Sequence, residues 1–267
     1  MKSLQQLADL SSRVALVTGG AGHIGSVIGE TLAELGCAIA VLDLDRESTE
    51  GVAQRIQRTF KVKSVALPID LSDEKAVRAI VNEVVNQFGR LDILVNCAAL
   101  VGTSELKGWV APFSEQSTDA WRAAIEINLT APFVLTQACA KPLAESGHGS
   151  VINISSIYGL AGPDMSLYEN TGLGNPAAYA ASKGGLLQLT RWLATVLAPQ
   201  VRVNAITPGG ISRNQPDSFT TRYVARTPLK RMATEEDLRG AVAYLASDLS
   251  SYVTGHNLVV DGGWTIW

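Results

Sequence analysis

Short apolar runs alternate with helical repeats along the chain, and this alternation restricts the fold more than any other feature. The first run, Val14 to Val17, ends at glycines, and apolar residues then recur at helical spacing from Ile24 to Leu35. Six further runs of strand length follow, at 38–42, 62–67, 91–95, 151–154, 201–206 and 258–260. Helical patterns separate them, at 47–60, from 72 onward, and at 118–140, 177–198 and 234–246. Because the strands are apolar throughout, they predict a parallel sheet covered by helices on both faces.

Length and composition narrow the class of protein. The 267 residues are 46% hydrophobic and 18% charged, which excludes a disordered chain and suits one large α/β domain spanning 1–267. A net charge of −3 gives no basic excess for nucleic acid. The apolar stretches are too short and broken to predict a membrane span, and the first residues lack a signal core, so we expect a cytoplasmic protein. Three scattered cysteines and three scattered histidines predict reduced thiols and no metal site.

Three segments are predicted to be loops, at about 100–117, 157–178 and 208–230. Each follows a strand, so each is expected at the carboxyl edge of the sheet. Open α/β folds bind ligands at that edge. These segments are therefore the predicted substrate loops.

A glycine-rich turn joins the first strand to the first long helix. Gly20, Gly22 and Gly25 form a GxGxxG pattern, in which glycines permit a tight turn and a close approach of the backbone to a pyrophosphate. The following helix N-terminus supplies free N–H groups. An ordinary glycine-rich loop is the alternative, but the strand–turn–helix context favours a dinucleotide.

Asp43 ends the second strand, 18 residues after Gly25. A carboxylate there can accept hydrogen bonds from the adenosine ribose hydroxyls, and it repels a 2′-phosphate. Leu44 follows and offers no cation to offset that repulsion. The sequence thus predicts NAD rather than NADP, the alternative being a solvated Asp at a strand end.

Tyr179 and Lys183 lie four residues apart at the start of a predicted helix, so they share one helical face. A phenol has a pKa of about 10 and is a poor base at neutral pH. A nearby ammonium is expected to lower that pKa. Such a pair can move a proton to or from an alcohol oxygen while a hydride moves to or from a nicotinamide. An exposed Tyr beside a solvated Lys is the alternative.

With these residues in place, nearly the whole chain resembles the short-chain dehydrogenases/reductases, in their short, single-domain branch. The resemblance implies a doubly wound, Rossmann-type α/β fold. It rests on collinear motifs, namely Thr18 to Gly25, Asp43, Asp70, Asn96-Cys97-Ala98-Ala99, Asn128, Ser155-Ser156, Tyr179 with Lys183, Pro208-Gly209, and the tail Thr254-Gly255 with Asp261-Gly262-Gly263.

The resemblance also implies roles. Tyr179 corresponds to the general acid/base, and Ser156 to the serine that hydrogen-bonds the reacting oxygen. Lys183 corresponds to the residue that binds the nicotinamide ribose and tunes Tyr179, and Asn128 to the holder of a proton-relay water. For Asn128, as for Asp70, local capping is the alternative. The implied cofactor-binding residues are Gly19, Gly22, His23, Ile24, Gly25, Asp43, Asp70, Leu71, Asn96, Ala98, Tyr179, Lys183, Pro208, Gly209 and Ile211.

Two departures from the family pattern bear on the substrate. His23 gives the glycine turn the form of the extended, sugar-nucleotide-modifying branch. Ser156 and Tyr179 are 23 residues apart, farther than is usual in the family, and the extra residues include 163–171. This inserted loop and the C-terminal tail resemble a subgroup linked to flagellin modification and nonulosonate sugar pathways.

The predicted function is NAD-dependent interconversion of a secondary alcohol and a ketone on a polar substrate, most simply a sugar, polyol or sugar phosphate. Cations after Pro208 predict an anionic substrate, namely Arg213, Arg222, Arg226 and Lys230. The alternatives are a sugar-nucleotide epimerase or dehydratase, and a catalytically silent NAD-binding sensor. The wide apolar surface of the helix after Lys183, together with the resemblance, predicts a homotetramer or homodimer.

Overall fold

Seven parallel strands form one sheet in a computed structural model that describes residues 1–102 and 104–267. The strands are β1 (Val14–Thr18), β2 (Ala38–Asp43), β3 (Ser64–Pro68), β4 (Ile93–Asn96), β5 (Gly149–Ile154), β6 (Val201–Pro208) and β7 (Asn257–Val260), in the spatial order β3-β2-β1-β4-β5-β6-β7. The helices are α1 (Leu4–Ala8), α2 (His23–Glu34), α3 (Arg46–Phe60), α4 (Glu74–Phe88), α5 (Thr118–Ile125), α6 (Ala131–Glu145), α7 (Ala177–Leu197), α8 (Asp217–Arg226) and α9 (Arg239–Ala246).

Two hydrophobic cores lie on the two faces of the sheet. Successive residues of β1 alternate between them: Ala15 and Val17 face one core, and Val14 and Leu16 face the other. Helices α2, α3 and α9 cover the first core, and α4, α6 and α7 cover the second. This arrangement confirms the predicted doubly wound α/β fold and explains why the strands are apolar along their whole length.

The strand order reverses beside β1, because β2 lies on one side of it and β4 on the other. Chains leaving the carboxyl ends of β1 and β4 therefore pass to opposite faces of the sheet. Such a reversal opens a crevice, which is where doubly wound sheets bind nucleotides. The glycine turn after β1 lies at this point.

The predicted loops contain short helices that the sequence patterns did not indicate. Segment 208–230 includes α8, whose only deeply buried residues, Phe219 and Tyr223, lie one turn apart. Segment 157–178 contains 3-10 turns at Ile157–Gly159 and Met165–Tyr168. Within segment 100–117, Thr103 lies outside the described residues. Helix α1 was also not predicted; a capping box formed by Ser3 and Gln6 defines its start.

One turn of π-helix, Glu126–Thr130 (the π-turn below), joins α5 to α6 in one continuous helical run from Thr118 to Glu145. By length and hydropathy this run could cross a membrane, although 44% of its most apolar window is buried inside the fold. Core helices that cover a sheet meet the same criteria. Here α6 packs on α4 and on strands β4 and β5.

Candidate active site

The glycine turn after β1 is closed so tightly that side chains are excluded. Gly19 has φ +63°, and a Cβ there would lie 2.8 Å from the Ala98 backbone. A Cβ on Gly25 would lie 2.0 Å from the Gly19 carbonyl oxygen. Both glycines are therefore needed for the first turn of α2 to lie directly against the end of β1.

Helix α2 begins at this turn. Its N-cap is Gly22, which has no side chain to cap the first amides, and His23 and Ile24 occupy the first two helical positions. Exposed amides and the positive end of a helix dipole favour an anion. The turn thus fits a pyrophosphate in its shape and in the sign of its charge.

Asp43 is fixed at the end of β2, beside the turn. Its Oδ2 accepts from the Ala21 amide at 2.9 Å, and its Oδ1 accepts from the Leu44 amide at 2.8 Å. The carboxylate is therefore held in place rather than free in solvent. Each oxygen keeps a lone pair that a ribose hydroxyl can use.

Thr18 is a site residue to which sequence reasoning assigned no role. Its buried hydroxyl accepts from the amides of Cys97 (3.0 Å) and Ala98 (3.1 Å). It thereby ties the end of β1 to the chain leaving β4, on the two sides of the crevice. Its position directly before the first glycine was the only available signal.

The remaining predicted adenosine contacts differ in orientation. Asp70 is exposed, and its Oδ1 accepts from both the amide and the hydroxyl of Ser72, which is the local capping considered from the sequence. Leu71 beside it is half-buried. The side-chain amide of Asn96 is buried and donates to Asn153 Oδ1 at 2.8 Å, so that group is occupied within the protein.

Ser156, Tyr179 and Lys183 come together at the carboxyl end of β5. Ser156 follows the strand by two residues, and its hydroxyl lies within hydrogen-bonding reach of the Tyr179 phenol on α7. Lys183 is 3% exposed; its Nζ donates to the Ile154 carbonyl at 2.8 Å and lies 5.9 Å from the centre of the Tyr179 ring. The preceding Ser155 instead donates to the Lys183 carbonyl, so it braces the helix.

The ionisation of this site is governed by burial. Burial raises the pKa of Tyr179, while the Ser156 hydrogen bond acts in the opposite direction. Burial also lowers the pKa of Lys183 to about 8, and the nearby Cys97 partly offsets that effect. The expected net lowering of the Tyr179 pKa is therefore wrong for this state, because burial of the phenol outweighs the effects that lower its pKa.

Asn128 lies in the π-turn and is fully buried. Its Oδ1 accepts from the Leu100 amide at 2.7 Å, and its Nδ2 donates to the Leu100 carbonyl and to Ser182 Oγ, each at 3.1 Å. Asn128 thus connects the chain after β4 to the catalytic helix. π-Turns occur frequently at functional sites.

Residues after β6 form the opposite side of the crevice. Pro208 ends the strand, the Gly209 amide donates to the Val260 carbonyl, and Ile211 pairs with Ala233. A Cβ on Gly209 would lie 2.9 Å from Asp261 Cα. This close approach holds the segment against the end of β7.

The cations predicted to bind an anionic substrate are mostly committed elsewhere. Arg222 donates to the carbonyls of 166, 167 and 169, Arg226 pairs with Asp164 at 2.6 Å, and Lys230 donates to the Ala225 carbonyl. Arg213 lies 3.4 Å from Glu235. The Arg222 guanidinium supports the inserted loop through one of its nitrogens, and its binding of substrate stays a prediction.

The inserted loop packs on α8 through an aromatic cluster. Phe219 and Tyr223 of α8, Trp264 of the tail, and Tyr158 and Tyr168 of segment 157–178 form this cluster. Ring centres of neighbours lie 5.5–6.1 Å apart. The insertion is thus a packed wall of the site.

Gln116 connects segment 100–117 to the catalytic helix. Its Oε1 accepts from the amide of Ala177, the first residue of α7, at 3.1 Å, and its Nε2 donates to the Ala111 carbonyl at 3.3 Å. Trp109 is fully buried in a cluster with Ala178 and Tyr179. No periodic pattern marked Gln116, because its contact is to a backbone amide distant in sequence.

Known proteins share this architecture. The family model described as enoyl-(acyl carrier protein) reductase matches residues 19–265. A cis-4-hydroxycyclohexanecarboxylate dehydrogenase from Sinomonas cyclohexanicum is 35% identical over 260 residues, which cover 96% of this chain and 97% of that protein. A short-chain type dehydrogenase/reductase from Mycobacterium marinum superposes with a TM-score of 0.86 at 29% identity, covering 99% of both chains. An NAD⁺-bound xylitol dehydrogenase superposes with a TM-score of 0.82 at 30% identity, covering 95% of this chain and 99% of that one.

The sequence match and the superpositions extend along almost the entire chain. The protein therefore belongs to the short-chain dehydrogenase/reductase family and is an NAD(P)-dependent oxidoreductase that acts on CH–OH groups.

Proposed function

We propose that the protein interconverts a polar secondary alcohol and its ketone, with Tyr179 as general acid/base and NAD as the preferred cofactor. The observation that carries this proposal is the meeting of Ser156, Tyr179 and the buried Lys183 at the carboxyl edge of the sheet, across from the glycine turn. A bound nicotinamide supplies the hydride acceptor or donor.

The chain's own residues handle the proton. In the oxidation direction, Ser156 holds the substrate hydroxyl and Tyr179 removes its proton, while the carbinol C–H bond supplies the hydride. Lys183 would bind the nicotinamide ribose, and its ammonium favours the phenolate over the phenol. Asn128 holds the chain near Leu100 against α7, which keeps Tyr179 in place.

The proposed residues for the cofactor extend along the crevice. The turn from Gly19 to Gly25 receives the pyrophosphate, and the ends of β3, β4 and β6 supply the other contacts predicted from the sequence. Asp43 discriminates between the cofactors, because a 2′-phosphate would lie beside a fixed carboxylate. At about 5 Å and an effective dielectric of about 20, each pair of unit charges costs roughly 3 kcal/mol before screening.

A cofactor comparison tests this preference. We expect kcat/KM for NAD to exceed that for NADP by at least about tenfold. Asp43→Asn removes the charge while keeping an acceptor oxygen, and we expect it to narrow the ratio. Asp45→Asn is a matched control, because it removes a carboxylate charge only two residues after Asp43 from a side chain that caps α3. Equal values for the two cofactors in the wild-type enzyme would contradict the proposal.

The proposed substrate is a hydroxylated ring or polyol, including sugars. The relatives named above act, by their names, on a hydroxycyclohexanecarboxylate and on xylitol. A panel of cyclic alcohols, polyols, sugars and sugar phosphates, followed by NADH absorbance at 340 nm, tests this substrate class. Failure of every alcohol to reduce NAD, with NAD binding intact, would favour a silent sensor instead.

A further inference from the structure

The catalytic helix α7 receives its N-terminal cap from a distant loop. Its own N-cap residue is Pro176, whose side chain makes no capping hydrogen bond. The first amides of a helix have no acceptor within the helix, and Ala177 carries the first of them in α7. Gln116, 61 residues earlier in the chain, supplies an acceptor, because its Oε1 accepts from the Ala177 amide at 3.1 Å. The start of α7 is therefore fixed by segment 100–117.

Gln116 is itself held in place within that segment. Its Nε2 donates to the Ala111 carbonyl at 3.3 Å, and its backbone amide donates to the Phe113 carbonyl at 3.4 Å. The next residue, Ser117, caps α5, because its Oγ accepts from two amides in the first turn of that helix. Two neighbouring residues thus cap two helices, and these helices pack on each other.

A buried tryptophan of the same segment lies in the cluster on which Tyr179 packs. Trp109 is 1% exposed and forms this cluster with Ala178 among others. Its Nε1 donates to the Val101 carbonyl at 2.7 Å, which fixes the indole ring. Tyr179 is two residues beyond the capped amide, about 3 Å along the helix axis. The segment therefore supports the first turn of α7 through both the cap and the cluster.

The hydroxyl that Tyr179 must meet lies on a different element. Ser156 follows β5, whereas Tyr179 is in the first turn of α7. Lys183, one turn farther along α7, is anchored separately by its bond to the Ile154 carbonyl. The distance between the Ser156 and Tyr179 hydroxyls thus depends on how the first turn of α7 is docked, and Gln116 holds the start of that turn.

We propose that Gln116 is a positioning residue for proton transfer: by capping α7, it sets the place of the Tyr179 hydroxyl relative to Ser156 and to the reacting oxygen. The inference rests on the proposed role of Tyr179 as general acid/base. Among the described residues, the Gln116 side chain bonds two backbone groups, so it acts through α7 rather than on the substrate. A misplacement of about 1 Å at a reacting group can cost on the order of 10²-fold in rate.

Two variants with side chains of similar length isolate the cap. Gln116→Met keeps the stem but has no acceptor oxygen, whereas Gln116→Glu keeps an acceptor for the Ala177 amide and loses the donor to Ala111. The probe is the alcohol that the wild type oxidises fastest in a panel that includes xylitol and cis-4-hydroxycyclohexanecarboxylate. The measurement is the first-turnover rate of NADH formation at 340 nm, because this rate does not include product release.

We expect Gln116→Met to lower the first-turnover rate by about tenfold. The alcohol concentration that gives half of the maximal rate, and the affinity for NADH, should stay within about twofold of the wild type, because the cap acts on the chemical step. Gln116→Glu should recover the rate to within about threefold of the wild type, because a carboxylate is favourable at a helix N-terminus.

Ser117→Ala is the matched control for stability. It removes the corresponding cap from α5 at the neighbouring residue, while the bond from Gln116 to α7 remains. Loss of either cap should lower the Tm by a similar amount, and Ser117→Ala should nevertheless keep the first-turnover rate within about twofold of the wild type. Circular dichroism melting checks each fold. If Gln116→Met is unfolded at the assay temperature, Gln116→Leu, which also lacks an acceptor, takes its place.

The outcomes separate this inference from the function on which it rests. If Gln116→Met keeps the wild-type rate, or if Gln116→Glu is no faster than Gln116→Met, the positioning role is overturned and the proposed function stands. An equal loss of rate in Ser117→Ala also overturns it, because the effect then follows stability in general. If no alcohol is oxidised, or if Tyr179→Phe turns over like the wild type, the proposed function fails and this inference fails with it.

Discussion

Gly25→Ala probes the glycine turn at its most crowded point. The new Cβ would lie 2.0 Å from the Gly19 carbonyl oxygen and 2.9 Å from Gly20 Cα, and both are backbone atoms that cannot rotate away. The first turn of α2 must therefore move away from β1 by on the order of 1 Å to restore ordinary contact distances. The pyrophosphate-binding amides move with it.

The magnitude follows from the crowding. Overpacking typically costs about 1–3 kcal/mol, which lowers the Tm by roughly 2–12 °C in a domain of this size. Gly51→Ala is the matched control, since Gly51 is an exposed residue within α3 with no atom within 4 Å of a new Cβ. It should stabilise the protein by about 0.5–1 kcal/mol, so the same substitution has opposite signs at the two positions.

The assay is a fluorescence titration with NADH alongside thermal melting. We expect Gly25→Ala to weaken NADH binding by at least about tenfold, because displaced amides no longer converge on the pyrophosphate. Gly51→Ala should bind NADH like the wild type. If Gly25→Ala binds NADH within twofold of the wild type, the steric argument is refuted.

Further predictions concern proton transfer, the burial of Lys183, the support of the inserted loop and the oligomeric state. Tyr179→Phe should lower turnover by about 10²–10⁴-fold with NADH binding intact. The rate of alcohol oxidation by the wild type should rise with pH, because the pKa of Tyr179 is raised and only the phenolate can accept the alcohol proton. Initial rates measured from pH 6 to 10 check both. The pKa of Lys183 is lowered to about 8 in the folded state, against about 10.4 in the unfolded chain, so between these pH values the folded state binds fewer protons. The free energy of unfolding of the wild type relative to Lys183→Met should therefore increase as the pH rises from about 8 to about 10.4. Urea titrations across this pH range check it. Arg222→Ala should speed hydrogen exchange over 164–170 and raise KM while leaving NADH affinity unchanged, and a fall in NADH affinity instead would assign Arg222 to the cofactor. Light scattering should give a molar mass of at least twice the 28.3 kDa of one chain. Trp192 is 54% exposed on α7, and Trp192→Glu should shift the protein toward the monomer.

The sheet was predictable because its strands are buried on both faces. An uninterrupted apolar run such as Val14 to Val17 has few alternatives to a central strand, and the glycines after it define the turn. The positions of Tyr179 and Lys183 on one helical face follow from their spacing alone. The observed strand ends differ from the predicted ones by up to two residues; β6, for example, was predicted to end at Ile206 and continues to Pro208.

The substrate side was less predictable because its contacts join residues distant in sequence. Charge alone could not show that the Arg222 guanidinium donates to backbone carbonyls of the inserted loop. Helix α8 has only two buried residues in ten, too few for a helical repeat. The hydrogen bond between the Tyr158 and Tyr168 hydroxyls depends on how the insertion folds back, which no local pattern records. The resemblance to the flagellin and nonulosonate subgroup stays a prediction.

The two arginines of α8 have a consequence for chimaeras of this protein. Arg222 and Arg226 both reach from the helix to the inserted loop, one to its carbonyls and one to Asp164. Grafting 157–178 alone onto a relative would leave the graft without its anchors. Exchanging it together with 217–226 transfers the loop and its anchors together, so these two stretches, separated in sequence by α7 and β6, form a single unit for recombination.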